Sequence, residues 1–301
     1  MRKLKIGIAL GGGGARGFAH IGVLRVLELN GIKPDIIAGT SMGALIGAMY
    51  SAGISVNDIE ARLESFMHTN TYEALGFKNM PEETTKGFFR NLLDKLKRKI
   101  IFYLSDVKMA FMDKRAIDEM IAYFLPDADF SELKIPFSCV AVDITRGQEI
   151  VINKGSLRIA VASSMAIPGI LPPVKHGDGV FVDGGVLQMV PSKVLKNAGC
   201  DFVIGIDVTS KLSVVSAKEF SSAFQISQRA SDIAYAILTE MQSGYADYIF
   251  SPAVGNIKWY EMKRLREAIL AGENEAMKKI PELKKRIKTK EWKTLLKRIF
   301  S

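Results

Sequence analysis

The chain has 301 residues, of which 48% are hydrophobic and 24% charged, the make-up of a folded protein with a sizeable core. No apolar run approaches the roughly 20 residues a membrane-spanning helix needs. Cys139 and Cys200 both lie in apolar runs, as buried thiols in a reducing cytoplasm would, and no His, Cys or carboxylate cluster has metal-ligand spacing, so neither metal nor cofactor is expected. The net charge of +9 is uneven: residues 278–301 hold ten Lys or Arg against Glu282 and Glu291, 10 − 2 = +8. Such a tail is a solvated face or a contact for an anionic membrane surface, with nucleic acid the least favoured partner.

In chain order, MRKLKIGIAL has the basic head of a signal peptide but leads into glycines, and residues 4–10 read as a buried first strand. A helix over 16–30 follows, ended by Gly31; then Pro34, the strand DIIAG, a helix from Met42 to Ala52, and another capped by Ser55. Residues 68–110 are less regular. Strands are predicted at 136–144, 149–152, VFVDGG and DFVIGIDV, and at YIFSP. Helices are predicted after Ser156, with Pro191 in a first turn, over 217–242, and in two stretches at the end. Alternation of strand and helix predicts an α/β fold around a largely parallel sheet.

The stretch LGGGGARG, residues 10–17, sits between the first strand and its helix, where free backbone N–H groups at a helix N-terminus form a site for negative charge. Gly12, Gly14 and Gly17 match a dinucleotide fingerprint, but its acidic partner, Asp35, would sit at the beginning of the second strand instead of its end. No Lys-Ser or Lys-Thr pair follows for a P-loop. The other reading joins the loop to GTSMG, residues 39–43, a G-x-S-x-G turn from strand to helix that would expose Ser41, with small residues on both sides because the backbone is strained. The glycine amides would then face a serine nucleophile as an oxyanion hole.

A serine needs a base. His20 lies on the first helix, where packing explains it, and His68 and His176 lie in polar stretches far from where a hydrolase histidine is wanted. Asp143, Asp183 and Asp207 each end an apolar strand, and any of the three fits a structural role; Asp183 differs in being followed by Gly184 and Gly185, which permit close approach and favour it only modestly.

Together GGGGARG (11–17), GTSMG (39–43), SSMAIP (163–168) and DGG (183–185) resemble the bacterial branch of the patatin-like phospholipase family, over most of residues 5 to about 285. The resemblance implies a three-layer patatin-like fold with a mostly parallel central sheet flanked by helices. It implies a Ser41–Asp183 dyad without histidine, an oxyanion hole from Gly12, Gly13 and Gly14, and Arg16, Gly17, Gly39, Gly43, Gly184 and Gly185 in support. Ser163 and Gln188 depart from the family pattern, where alanine and asparagine are usual. The expected activity is cleavage of lipid carboxylic esters, of phospholipase A or lysophospholipase type, through an acyl-enzyme. A catalytically silent lipid-binding or regulatory module is the alternative, and a nucleotide-binding enzyme the lesser one. Residues 1–275 are expected to form the hydrolase domain, with a lid-like insert at about 68–110, and 276–301 a basic helical tail. In KGFFRNLLDKLKRKIIFYL, residues 86–104, apolar side chains recur at helical spacing among lysines. This segment and the 278–301 tail are the expected contacts with an anionic inner membrane face, on an otherwise cytoplasmic protein.

Overall fold

The computed structural model describes residues 3–76, 112–209, 212, 214–217, 220 and 223–299, so the amphipathic segment 86–104 lies outside the described residues. The elements run β1 (Ile6–Leu10), α1 (Ala19–Leu29), β2 (Ile36–Thr40), α2 (Met42–Ser51), α3 (Val56–Phe66), α4 (Asn70–Ala74), α5 (Lys114–Phe124), β3 (Phe137–Asp143) and β4 (Gln148–Ile152). After these come α6 (Leu157–Met165), β5 (Val174–His176), β6 (Gly179–Asp183), α7 (Ser192–Asn197), β7 (Phe202–Ile206), α8 (Ala223–Ser243), β8 (Tyr248–Phe250) and α9 (Leu265–Ile299). Ser55 caps α3 by accepting from the Asp58 amide at 3.1 Å, and Ser156 caps α6 by accepting from Ile159 at 3.4 Å.

Strands β3, β2, β1, β7 and β8 are parallel neighbours in that order. The sheet is mixed beyond them: β4 and β6 both run antiparallel to β3, and β5 antiparallel to β6. The reason is connection length. β3 and β4 are joined by 144–147 and β5 and β6 by Gly177 and Asp178, links that can close a hairpin but not carry a crossover.

Pairing on β3 positions the site. β4 occupies one edge along Cys139–Asp143, so the partners of Phe137–Val140 and of Ala141–Asp143 share the other edge. Those partners are β2 and β6. They approach end to end from opposite directions, so the last residue of β6, Asp183, meets the turn that follows β2.

The large and small residues of the central strands separate by face. Ile8 and Leu10 enter the main core with α1, α2 and α9, whereas Ala9, Ala38 and Val140 join Leu195 and Cys200 in a thinner layer under α7. A helix, sheet and helix sandwich results. Helix α9 runs unbroken through Pro281 to Ile299, so the boundary expected at 275/276 falls inside it, and Leu283 beyond that point is fully buried. Its first half crosses α1 at backbone distance: a Cβ on Gly22 would lie 2.1 Å from the Ile269 oxygen, and one on Gly272 2.1 Å from the Ala19 oxygen. Arg25 ties the crossing to α3, reaching Glu60 and Glu273 at 2.5 Å each. Tyr72 of α4 is buried edge-on against Phe66, so the beginning of the expected insert belongs to the core.

Gly272→Val should therefore cost about 2–3 kcal/mol through forced separation of α1 and α9, read from the urea midpoint. Gly255→Ala, where a Cβ meets nothing within 4 Å, should leave that midpoint unchanged.

Candidate active site

Ser41 has φ 55° and ψ −123°, the single non-glycine residue with positive φ among the described residues. An L-residue reaches that conformation only when its surroundings impose it. Here they do. The Ser41 amide donates to Ser164 Oγ at 3.0 Å, and the Ser41 carbonyl accepts from Ala44 and Leu45 at 2.8 and 3.1 Å, opening α2. A Cβ on Gly39 would lie 2.5 Å from the Gly43 oxygen, and one on Gly43 2.2 Å from the Leu10 oxygen, so neither position of the turn can carry a side chain.

Asp183 reaches this turn from β6. Its amide donates to the Ala166 carbonyl at 2.9 Å, and its Oδ1 accepts from the Gly185 amide at 2.7 Å. Gly184 lies against the Val140 backbone. The SSMAIP stretch thus touches both residues, through Ser164 for Ser41 and through Ala166 for Asp183. The sequence marked that stretch without revealing this role.

Burial pushes the Asp183 carboxyl up to about 6, while hydrogen bonds from the Ser41 hydroxyl and the Gly185 amide hold it down. The other strand-end aspartates are engaged elsewhere. Asp143 accepts from Thr145 and from Arg146, which hold it well below the usual carboxylate range, and Asp207 caps its own turn at Thr209. His68 and His176 are exposed. His20 is fully buried; its Nε2–H donates to the Gly11 carbonyl at 2.7 Å, leaving a bare Nδ1 with no partner among the described residues. Burial pushes its pKa down to about 4 despite that carbonyl, so His20 is a neutral clamp on the glycine loop.

The loop itself divides. The Gly12 amide donates to the Met189 carbonyl at 2.9 Å and so differs from Gly13 and Gly14, whose amides have no acceptor among the described residues. Gly12 still sets the approach: a Cβ there would stand 3.3 Å from Ser41 Cβ. Arg16, half-buried, donates from Nε to the Gly13 carbonyl at 3.2 Å, with Asp232 and Asp207 offsetting the cost of its burial, and Gly17 packs on Met42. Tyr235 of α8 lies near the site: burial raises its hydroxyl first, and the Asp183 and Asp232 charges add to that. No sequence pattern pointed to Tyr235 or Asp232. Asp35, the candidate nucleotide ligand, accepts from the Ile6 amide at 2.7 Å at the opposite end of the sheet, which removes the dinucleotide reading. Among the described residues no three His, Cys, Asp or Glu side chains gather as metal ligands.

A family model described as patatin-like phospholipase matches residues 8–196, a span that includes every residue of this constellation up to Met189. A patatin-like phospholipase domain-containing protein of Caenorhabditis elegans is 34% identical over 68% of this chain and 14% of its own length. The lysophospholipase NTE1 of Debaryomyces hansenii is 27% identical over 68% of this chain and 12% of its own. An NTE family protein of Mycobacterium tuberculosis is 28% identical over 68% of this chain and 49% of its own. The chain therefore spans a minor part of these relatives, half of one and about a seventh or less of the others.

Because Asp183 titrates at about 6 in the fold against 3.8 for an ordinary carboxyl, the native state binds its proton more tightly, and the stability this contributes below pH 3.8 is lost as pH rises through 6. Asp183→Asn, neutral throughout, should melt higher than the wild type at pH 8. That gain should grow between pH 4 and 6 and then stay level, on the order of 2–3 kcal/mol at 1.4 per unit of pKa.

Proposed function

The chain belongs to the patatin-like phospholipase family, and on that footing we propose that it is a serine acyl hydrolase acting on carboxylic esters of lipids, with Ser41 as nucleophile and Asp183 as its base. The observation that carries this reading is a buried Asp183 carboxyl, raised to about 6 by its burial and in part lowered by the Ser41 side chain, beside a serine held at positive φ. A base of that strength is ionised at neutral pH and still takes up a proton more readily than an ordinary aspartate.

In the first half-reaction Asp183 accepts the Ser41 proton as Oγ adds to the ester carbonyl carbon. The oxygen of that carbonyl becomes an oxyanion, for which the Gly13 and Gly14 amides are the available donors. Collapse breaks the ester bond, and the departing alcohol takes the proton from Asp183. Water then gives a proton to Asp183 and adds to the acyl-serine; the second tetrahedral intermediate releases the carboxylic acid, and the proton returns to Ser41. Arg16 and His20 act on this chemistry only by holding the Gly13 and Gly11 carbonyls. The name lysophospholipase carried by the Debaryomyces relative supports a monoacyl phospholipid as the substrate class.

Ser41→Ala and Asp183→Asn should each lower kcat/KM for p-nitrophenyl butyrate by about a thousandfold or more, with the wild-type value rising through pH 6 as the base ionises. Full activity in Ser41→Ala would sink the mechanism. Contact with anionic membrane is proposed for the end of α9, where Trp292 and Leu296 are exposed among lysines. Reversing Lys284, Lys285 and Lys288 to Glu should abolish cosedimentation with phosphatidylglycerol vesicles, and undiminished binding would remove that contact.

A further inference from the structure

Two cavities meet at one wall. The inner one is open at Ser41, has a volume of about 60 Å³, and is lined by apolar side chains of α2 and α3 that include Met42, Leu45 and Phe66. The outer one is a groove of about 590 Å³ between α5, α6 and the segment 171–175. Ile117 of α5 and Leu171 line both, and both side chains are buried.

At about 60 Å³ the inner cavity is roughly a tenth of the groove's about 590 Å³ by the same measure, so of the two only the groove has room for a long chain. An acyl group carried on Ser41 Oγ would fill the inner cavity while still short. A further carbon would meet Ile117 and Leu171. Behind them the groove is suited to hydrocarbon, because the charged groups on its α5 and α6 walls are already engaged and the remaining one, Lys175, is exposed to solvent. Lys114 pairs with Asp118 at 2.5 Å, Arg158 donates to the Leu125 carbonyl at 3.0 Å, and Ile121, Ile159 and Pro172 remain as apolar lining.

We propose that Ile117 and Leu171 form the partition that sets acyl-chain length, confining the acyl group at Ser41 to the inner cavity and separating it from a ready-made extension in the outer groove. The proposal rests on the acyl-hydrolase reading and names the residues that select its substrate. Neither residue touches the reacting atoms, so the substitution changes which chain fits and leaves the chemistry alone.

The test compares the wild type with Ile117→Ala, Leu171→Ala and the milder Ile117→Val, all checked for cooperative melting. Kinetics on p-nitrophenyl hexanoate and dodecanoate are run beside calorimetric binding of free hexanoate and dodecanoate. Each alanine variant should raise the dodecanoate-to-hexanoate ratio of kcat/KM by about tenfold, the worth of burying roughly two more methylenes. Hexanoate turnover should change little, and the binding ratio should move the same way, with Ile117→Val in between. Folded variants whose ratios equal those of the wild type overturn the proposal. A shifted binding ratio with no turnover by any of the proteins, wild type included, upholds the partition and removes the acyl-hydrolase reading instead.

Discussion

The site depends on one strained residue. Ser41 is held with positive φ at the end of β2, and a lone L-residue in that conformation costs on the order of 1–3 kcal/mol. The strain is held in place by contacts that would all have to be lost together: the Ser164 hydroxyl on its amide, the first turn of α2 on its carbonyl, and backbone packed on both sides where Gly39 and Gly43 carry no side chain. The gain is positional, because a side chain at such a turn stands clear of both strand and helix, with its hydroxyl turned to a neighbouring loop.

The second constraint is electrostatic. A carboxyl placed where Asp183 lies loses most of its hydration, and two hydrogen bonds return only part of what is lost, so it titrates near 6. The contrast with Asp143 is instructive. Both aspartates are buried and both end strands on β3 or beside it, yet Asp143 has Arg146 and a threonine hydroxyl while Asp183 has no cationic hydrogen-bond partner among the described residues. The same residue type thus becomes a fixed anion at one strand end and a proton acceptor at the other.

Much of the molecule was legible in one dimension. Apolar runs marked the strands, Ser55 and Ser156 announced two helices, and GTSMG reported a turn whose glycines are required by backbone contacts within a few residues or on the adjacent strand. These features are local, and local sterics write them into the chain. The strand β5 and the antiparallel direction of β4 and β6 were not anticipated, although short links such as HGDG contain the signal, because strand order depends on which edges remain open once the parallel core has formed.

Pairing between distant residues was what the chain could not display. Three aspartates ended strands alike, and only the shared edge of β3 selects the one that faces Ser41. The glycine loop advertised three amides equally, and only the Met189 carbonyl, 177 residues from Gly12, distinguishes Gly12 from its neighbours. Composition, periodicity and motif spacing determine which segments fold and which residue types are on hand. Burial and partner choice, and with them the pKa of Asp183, the free amides and the wall made by Ile117 and Leu171, arise only when segments far apart in sequence exclude water from one another.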